Sequence, residues 1–139
     1  MIMYFPIILM HALCVSSYST FAQDCSRKIG TVEFSGYESN ISKDIKSKLK
    51  KIADSIKQNT TCKIEITGYC GNSENTRLTK SNWDRVNNVI DYMVKNEGIN
   101  ADRFIFRYGE VANACNNIDL SFTPNIIDNP APPHPKGKN

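Results

Sequence analysis

CKIEITGYCGNSENTRLTKSNWDRVNNVIDYMVKNEG, residues 62–98, changes its hydrophobic period midway. Ile64 and Ile66 alternate with Lys63, Glu65 and Thr67 as far as Gly68, the pattern of a half-buried β-strand. A polar stretch then runs to Lys80. From Ser81 onward, Val86, Val89, Ile90, Met93 and Val94 fall on one stripe, and Gly98 follows, which predicts an amphipathic helix closed by a glycine cap. A strand delivered to a helix through a long polar loop fixes the class of fold, because the helix must return across the sheet that the strand belongs to.

The flanking sequence supplies the remaining elements. IGTVEFSG, residues 29–36, alternates and contains β-formers. In NISKDIKSKLKKIADSIKQN, residues 40–59, Ile41, Ile45, Leu49, Ile52, Ala53 and Ile56 recur at helical spacing with lysines opposite. Those lysines form either a contact for an anionic surface or a solvated face, and the solvated face is the preferred reading. RFIFRYG, residues 103–109, and NNIDLSF, residues 116–122, add two more strands. The order strand, helix, strand, helix, strand, strand implies two right-handed crossovers on one side of a sheet. Alternating strands leave the other face partly wet. The expected fold is therefore an α/β two-layer sandwich, β-α-β-α-β-β, with a mixed four-stranded sheet covered on one face by two helices. It occupies residues 31–122, after a lead at 23–30. From Thr123 the Pro-rich tail, ending NPAPPHPKGKN, is expected to be a disordered end that joins no sheet.

At the N-terminus an apolar run from Ile2 to Val15 precedes small polar residues and Thr20-Phe21-Ala22, which reads as a secretory signal peptide over residues 1–22. The run is short for a bilayer span, and the mature chain is expected to have no membrane span of its own. Cys14 follows Leu13, where a lipoprotein site carries a small residue. Removing the first 22 of 139 residues leaves 117, enough for one domain with one core and too few for a membrane barrel. The net charge of +3 is too mild to predict nucleic-acid binding. Cys25, Cys62, Cys70 and Cys115 remain, an even set that in an exported chain argues for two disulfides. Three pairings are open. Cys70 with Cys115 and Cys25 with Cys62 is preferred, because the first pair ties a loop that follows one core strand to a loop that precedes another. A metal or redox site is disfavoured: there is no Cys-x-x-Cys, and the only histidine left, His134, lies in the tail. Asn40 and Asn59 stand in Asn-x-Ser/Thr sequons.

With its elements placed, the chain resembles the OmpA-like domain family, the peptidoglycan-associated C-terminal domain of outer-membrane protein A and of related lipoproteins and motor proteins. The resemblance rests on an ordered set: Ile66-Thr67-Gly68-Tyr69, the polar loop, Arg85, Val89-Ile90-Asp91-Tyr92-Met93, Gly98-Ile99, Asp102-Arg103, Tyr108-Gly109-Glu110 and Asn117-Ile118-Asp119-Leu120. In that family an Asp after Gly-(Tyr/His)-Thr takes the ammonium of diaminopimelate in the peptidoglycan stem peptide, and an Arg in the next helix takes its carboxylate. Opposed fixed charges, one of them an arginine fork, select a zwitterionic end group. Here Arg85 aligns with the family's Arg and is followed by Val86 in place of Ala. Ser81-Asn82 replace Leu-Ser. Gly68-Tyr69 are kept, but Cys70-Gly71 stand where Thr-Asp is expected, and the loop is one residue shorter. Cys115-Asn116-Asn117-Ile118 replaces the family's Asn-Arg-Arg-Val lead into the last strand.

The resemblance therefore implies a ligand site at Arg85, Tyr69, Gly71, Asn72, Glu74 and Asn82, with the ammonium partner missing at Gly71. Glu74, Asp84 and Glu110 are the candidate substitutes. The alternative for Arg85 is a helix-surface arginine paired with Asp84, Asn88 or a loop carbonyl. Trp83 is expected to pack into the core beneath the loop.

Three classes of function remain: a module that holds peptidoglycan through its stem peptide, an interaction module for envelope proteins with a vestigial site, and an enzyme. The last is disfavoured, since the sequence carries no nucleophile elbow, P-loop or metal-ligand cluster, and it calls for no cofactor. The expected location is outside the cytoplasm, in the periplasm or at the outer membrane.

Overall fold

A computed structural model describes residues 25–68, 76–108 and 116–124 of the chain. In chain order these form β1 (Lys28–Glu33), α1 (Lys43–Gln58), β2 (Lys63–Gly68), α2 (Thr76–Lys95), a short 3-10 turn (Ala101–Arg103), β3 (Phe104–Tyr108) and β4 (Asn117–Thr123). The strands make one sheet in the order β1-β4-β2-β3. β2 and β3 are parallel, while β4 runs antiparallel to both β1 and β2. The sheet is mixed, as the alternating strands and two helical connections required.

Burial follows the sequence periods. Ile64 and Ile66 of β2 lie opposite Phe122 and Leu120 of β4, and all four are buried. α1 contributes Ile45, Leu49, Ile52, Ala53 and Ile56 to the same core, and α2 contributes Val86, Val89 and Met93. Ile41 packs on this core from just outside α1. The other sheet face is polar. There Arg107 pairs with Glu65 at 2.5 Å, the Thr31 hydroxyl donates to Asp119, and Lys28 lies 3.0 Å from Asp119.

The helix ends have local causes. Ser42 caps α1 by accepting the Ile45 N–H at 3.3 Å, with Asp44 in the first turn. Gly98, at φ 70°, turns the chain after α2, and the Ile99 N–H returns to the Met93 carbonyl at 3.0 Å. Arg103 closes α1 from outside. Its guanidinium donates to the carbonyls of Ile56 (3.2 Å), Asn59 (2.5 Å) and Cys62 (2.9 Å), so one fork serves the helix end and the turn into β2. Burial pulls the pKa of Arg103 below its ordinary value, but a guanidinium in this setting remains charged.

Three boundaries differ from the sequence expectation. β1 begins at Lys28, inside the segment read as a lead. α2 begins at Thr76 rather than Ser81, because its first turns carry no apolar stripe by which periodicity could find them. Thr123 belongs to β4, buried and opposite Lys63, rather than to the tail. Asn59 is buried too: its side-chain oxygen accepts the Cys62 N–H at 3.2 Å, whereas the sequon at Asn40 is exposed. Among the described residues no helix is long and apolar enough to cross a membrane.

Cys25 and Cys62 form a disulfide across a sequence separation of 37 residues, with a Cα–Cα distance of 5.4 Å. Because β4 lies between β1 and β2, this bond fastens the start of β1 to the start of β2 around the carboxyl end of β4. Cys70, Cys115, the signal segment and the tail beyond Pro124 lie outside the described residues. Replacing Cys25 and Cys62 together by Ala is expected to lower unfolding stability by about 2–4 kcal/mol. Urea unfolding of the two proteins checks this, and equal midpoints would contradict it.

Candidate functional site

α2 sits directly on the carboxyl end of β2, at Gly68. A Cβ there would lie 2.8 Å from Asn82 Nδ2, 3.0 Å from Asn82 Oδ1 and 3.0 Å from Val86 Cγ2. Glycine lets α2 approach until Asn82 rests on the strand end. Asn82 is thereby buried, at 4% exposure, and among the described residues its Oδ1 has no hydrogen-bond partner. A buried carbonyl oxygen left this way carries its full desolvation penalty, on the order of 1–3 kcal/mol.

One turn further along the same helix face, Arg85 is completely buried, at 0% exposure. Its Nε donates to the Glu38 carbonyl at 2.6 Å and its Nη2 to the Gly36 carbonyl at 2.5 Å, while its Cζ stands 5.3 Å from the Phe34 ring centre. Beside it, Asn88 Nδ2 donates to the Ser39 carbonyl at 2.8 Å. α2 therefore grips the backbone of the β1–α1 connection through two side chains. Burial lowers the pKa of Arg85 from its ordinary value, yet the group stays a cation. The two backbone carbonyls offset part of its desolvation.

The helix-surface alternative for Arg85 is thus corrected in its burial but not in its partner type: its partners include the loop carbonyls of Gly36 and Glu38. Asp84 instead pairs with Lys80 at 2.6 Å on the exposed side of α2. Trp83 packs as expected, its ring 4.6 Å from that of Phe106. Of the residues singled out from sequence, Arg85 and Asn82 share one face of α2, Asn82 against the end of β2 and Arg85 against the β1–α1 connection. Tyr69, Gly71, Asn72, Glu74 and Glu110 lie outside the described residues. The contributions of Phe34, Gly36 and Glu38 were missed in the sequence. Two of them act through backbone oxygens, which leave no trace in residue type; a Ser-Gly-Tyr turn signal was the only hint.

Chemically, this arrangement sets a pre-oriented guanidinium one helical turn from a buried amide oxygen acceptor.

The chain was compared with known proteins. The model of the OmpA family matches residues 34–118. No curated protein matches the sequence. Among solved structures, the OmpA-like domain of FopA1 from Francisella tularensis subsp. tularensis SCHU S4 is 14% identical, over 67% of this chain and 72% of that one, at a TM-score of 0.54. The periplasmic domain of Helicobacter pylori MotB is 15% identical, over 69% of this chain and 70% of that one, also at 0.54. At such identities the structural likeness establishes the shared fold.

Two substitutions probe this packing. Gly68→Ala is expected to destabilise the protein by about 1–3 kcal/mol through overpacking against Asn82 and Val86. Arg85→Met, which strips the Gly36 and Glu38 carbonyls of their donors, is expected to lose about 2–4 kcal/mol. Thermal and urea unfolding measure both, and a neutral Arg85→Met would contradict the clamp described above.

Proposed function

The chain belongs to the OmpA family, and from that premise we propose that it is a non-catalytic cell-envelope module that holds peptidoglycan where the loop after β2 meets α2, with Arg85 taking a stem-peptide carboxylate. The observation that carries this reading is the pair on one face of α2: a buried guanidinium oriented by the carbonyls of Gly36 and Glu38 and, one turn before it, the buried Asn82 Oδ1, which has no partner among the described residues. A zwitterionic end group needs one anchor of each kind. Gly71 stands where the family's ammonium-binding Asp is expected, so Asn82 Oδ1 is the acceptor proposed in its place, within a loop that contributes Tyr69, Gly71, Asn72 and Glu74. A neutral amide oxygen holds an ammonium less tightly than a carboxylate does, so affinity is expected to fall below that of a site with both charges.

The same reading places the protein outside the cytoplasm, at the periplasm or outer membrane. Membership of an envelope family, the periplasmic origin of one similar structure and the Cys25–Cys62 disulfide support that location.

One observation favours a second reading. Arg85 staples the β1–α1 connection, a structural duty that preserves an arginine after its ligand is gone, and the surface then serves an envelope protein partner. Co-sedimentation with purified peptidoglycan sacculi separates the two. The first reading expects the wild-type chain to pellet with sacculi and Asn82→Leu, which keeps the branched shape but removes the acceptor, to bind about tenfold more weakly. A folded wild-type chain that stays in the supernatant would sink the first reading and leave the protein partner.

A further inference from the structure

α1 concentrates the positive charge of the chain. It carries six lysines against two aspartates, a net +4, whereas the whole chain is only +3, so the remainder is slightly acidic. The sequence alone favours a solvated face for these lysines. The structure adds what the sequence lacks, the partners of every other described cation.

Lys28 pairs with Asp119 at 3.0 Å, Lys57 with Glu97 at 3.3 Å, Lys80 with Asp84 at 2.6 Å and Lys95 with Asp91 at 2.8 Å. Lys63 donates to the Asp102 carbonyl at 2.7 Å. Each described arginine likewise has an acidic, carbonyl or aromatic partner. Lys43, Lys46, Lys48, Lys50 and Lys51 differ: among the described residues they have no partner, and all five are exposed.

Their placement also works against the helix that carries them. Lys43 and Lys46 stand in the first turn of α1, at the positive end of the helix dipole. Lys43 and Lys46, like Lys48 and Lys51, are three residues apart, and Lys46 and Lys50 are four apart, spacings at which like charges repel across adjacent turns. Such crowding costs stability, and an anion laid along the face relieves it.

The rest of the helix says which kind of anion fits. Ile45, Leu49, Ile52, Ala53 and Ile56 are all buried in the core, and the exposed positions between the lysines are Asp44, Ser47, Asp54 and Gln58. The exposed side therefore offers no apolar or aromatic anchor for a protein partner and no side chain to insert among acyl chains. It offers no arginine fork for a single fixed phosphate either. Flexible ammonium groups spread along about 12 Å of helix suit a layer of many mobile anions.

We infer that the lysine face of α1 is a peripheral docking surface for an anionic lipid bilayer, held by attraction to phosphate headgroups without insertion. The attraction acts over about a Debye length and weakens as salt rises. It does not depend on what Arg85 binds.

The test is flotation of the purified chain with two kinds of vesicle, phosphatidylcholine alone and phosphatidylcholine with about 30 mol% phosphatidylglycerol. The wild type is expected to float with the anionic vesicles at low salt, to be released by about 0.5 M salt, and to ignore the neutral ones. Lys46→Gln/Lys50→Gln is expected to bind about tenfold more weakly and to unfold at the same urea concentration as the wild type or a higher one. Lys80→Gln/Lys95→Gln, which removes the same charge from paired lysines of α2, is expected to bind like the wild type. Failure to float with anionic vesicles would overturn the inference, even if nucleic acid or an acidic protein bound the same face. Equal weakening in the two variants would overturn it as well, since net charge alone would then account for the binding. So would binding to the neutral vesicles that salt leaves intact.

Discussion

A guanidinium with no solvent exposure has to be solvated by the protein, and in this chain the backbone of a loop supplies two of its acceptors. Arg85 leaves α2 and ends on the carbonyls of Gly36 and Glu38. Burying a cation without such partners costs several kcal/mol, so the position of α2 and the course of the β1–α1 connection are coupled. The rest of that end of the molecule follows. Gly68 admits α2 close to β2, Asn82 is pressed onto the strand end, and Tyr37 is carried on the turn whose carbonyls Arg85 binds. At the opposite end Arg103 performs a parallel service for α1 and the turn into β2. Two buried or half-buried arginines thus fix the connections of a domain whose core is otherwise largely apolar.

Much of this fold was legible in the sequence because period and burial coincide. The alternation at Ile64 and Ile66 and the stripe from Val86 to Met93 became β2 and the inner face of α2 without adjustment. What periodicity could not supply was the first turns of α2. Thr76-Arg77-Leu78-Thr79-Lys80 has helix-compatible residues but no apolar repeat, and helix-forming propensity alone is a weak signal. β1 was displaced for a related reason: Ser35-Gly36, read as a strand end, forms part of the turn, while Lys28 pairs with Ser121 before the alternation becomes visible. Thr123 looked like the start of a tail because Pro124 follows it, yet a residue before proline favours the extended conformation that a strand requires.

The candidate site was half legible. Arg85 was found through its place in an ordered family pattern, and the absence of a carboxylate at Gly71 was equally plain. Its depth was not, since an arginine beside Asp84 and Asn88 on an amphipathic helix reads as a surface group. The acceptors that draw it inward are main-chain oxygens contributed by residues remote in sequence, so no side chain announces them. Asn82 was marked only by its position; its unpartnered oxygen is a property of packing against Gly68. A chain of this family can thus keep the arginine of the family pattern while the residue at the expected Asp position differs. Function in such a family has to be argued from the site rather than from the fold.

The central claim is that one guanidinium both organises the β1–α1 connection and receives a ligand carboxylate. The most direct measurement is the Nε–H resonance of Arg85 in a 15N-labelled protein, assigned by its loss in Arg85→Met and followed while diaminopimelate-containing stem peptide is added. The account predicts a resonance protected from solvent exchange in the free protein that shifts to saturation with the peptide. A proton exchanging as fast as those of surface arginines would contradict the buried clamp, and a protected resonance unmoved by saturating peptide would contradict the ligand role.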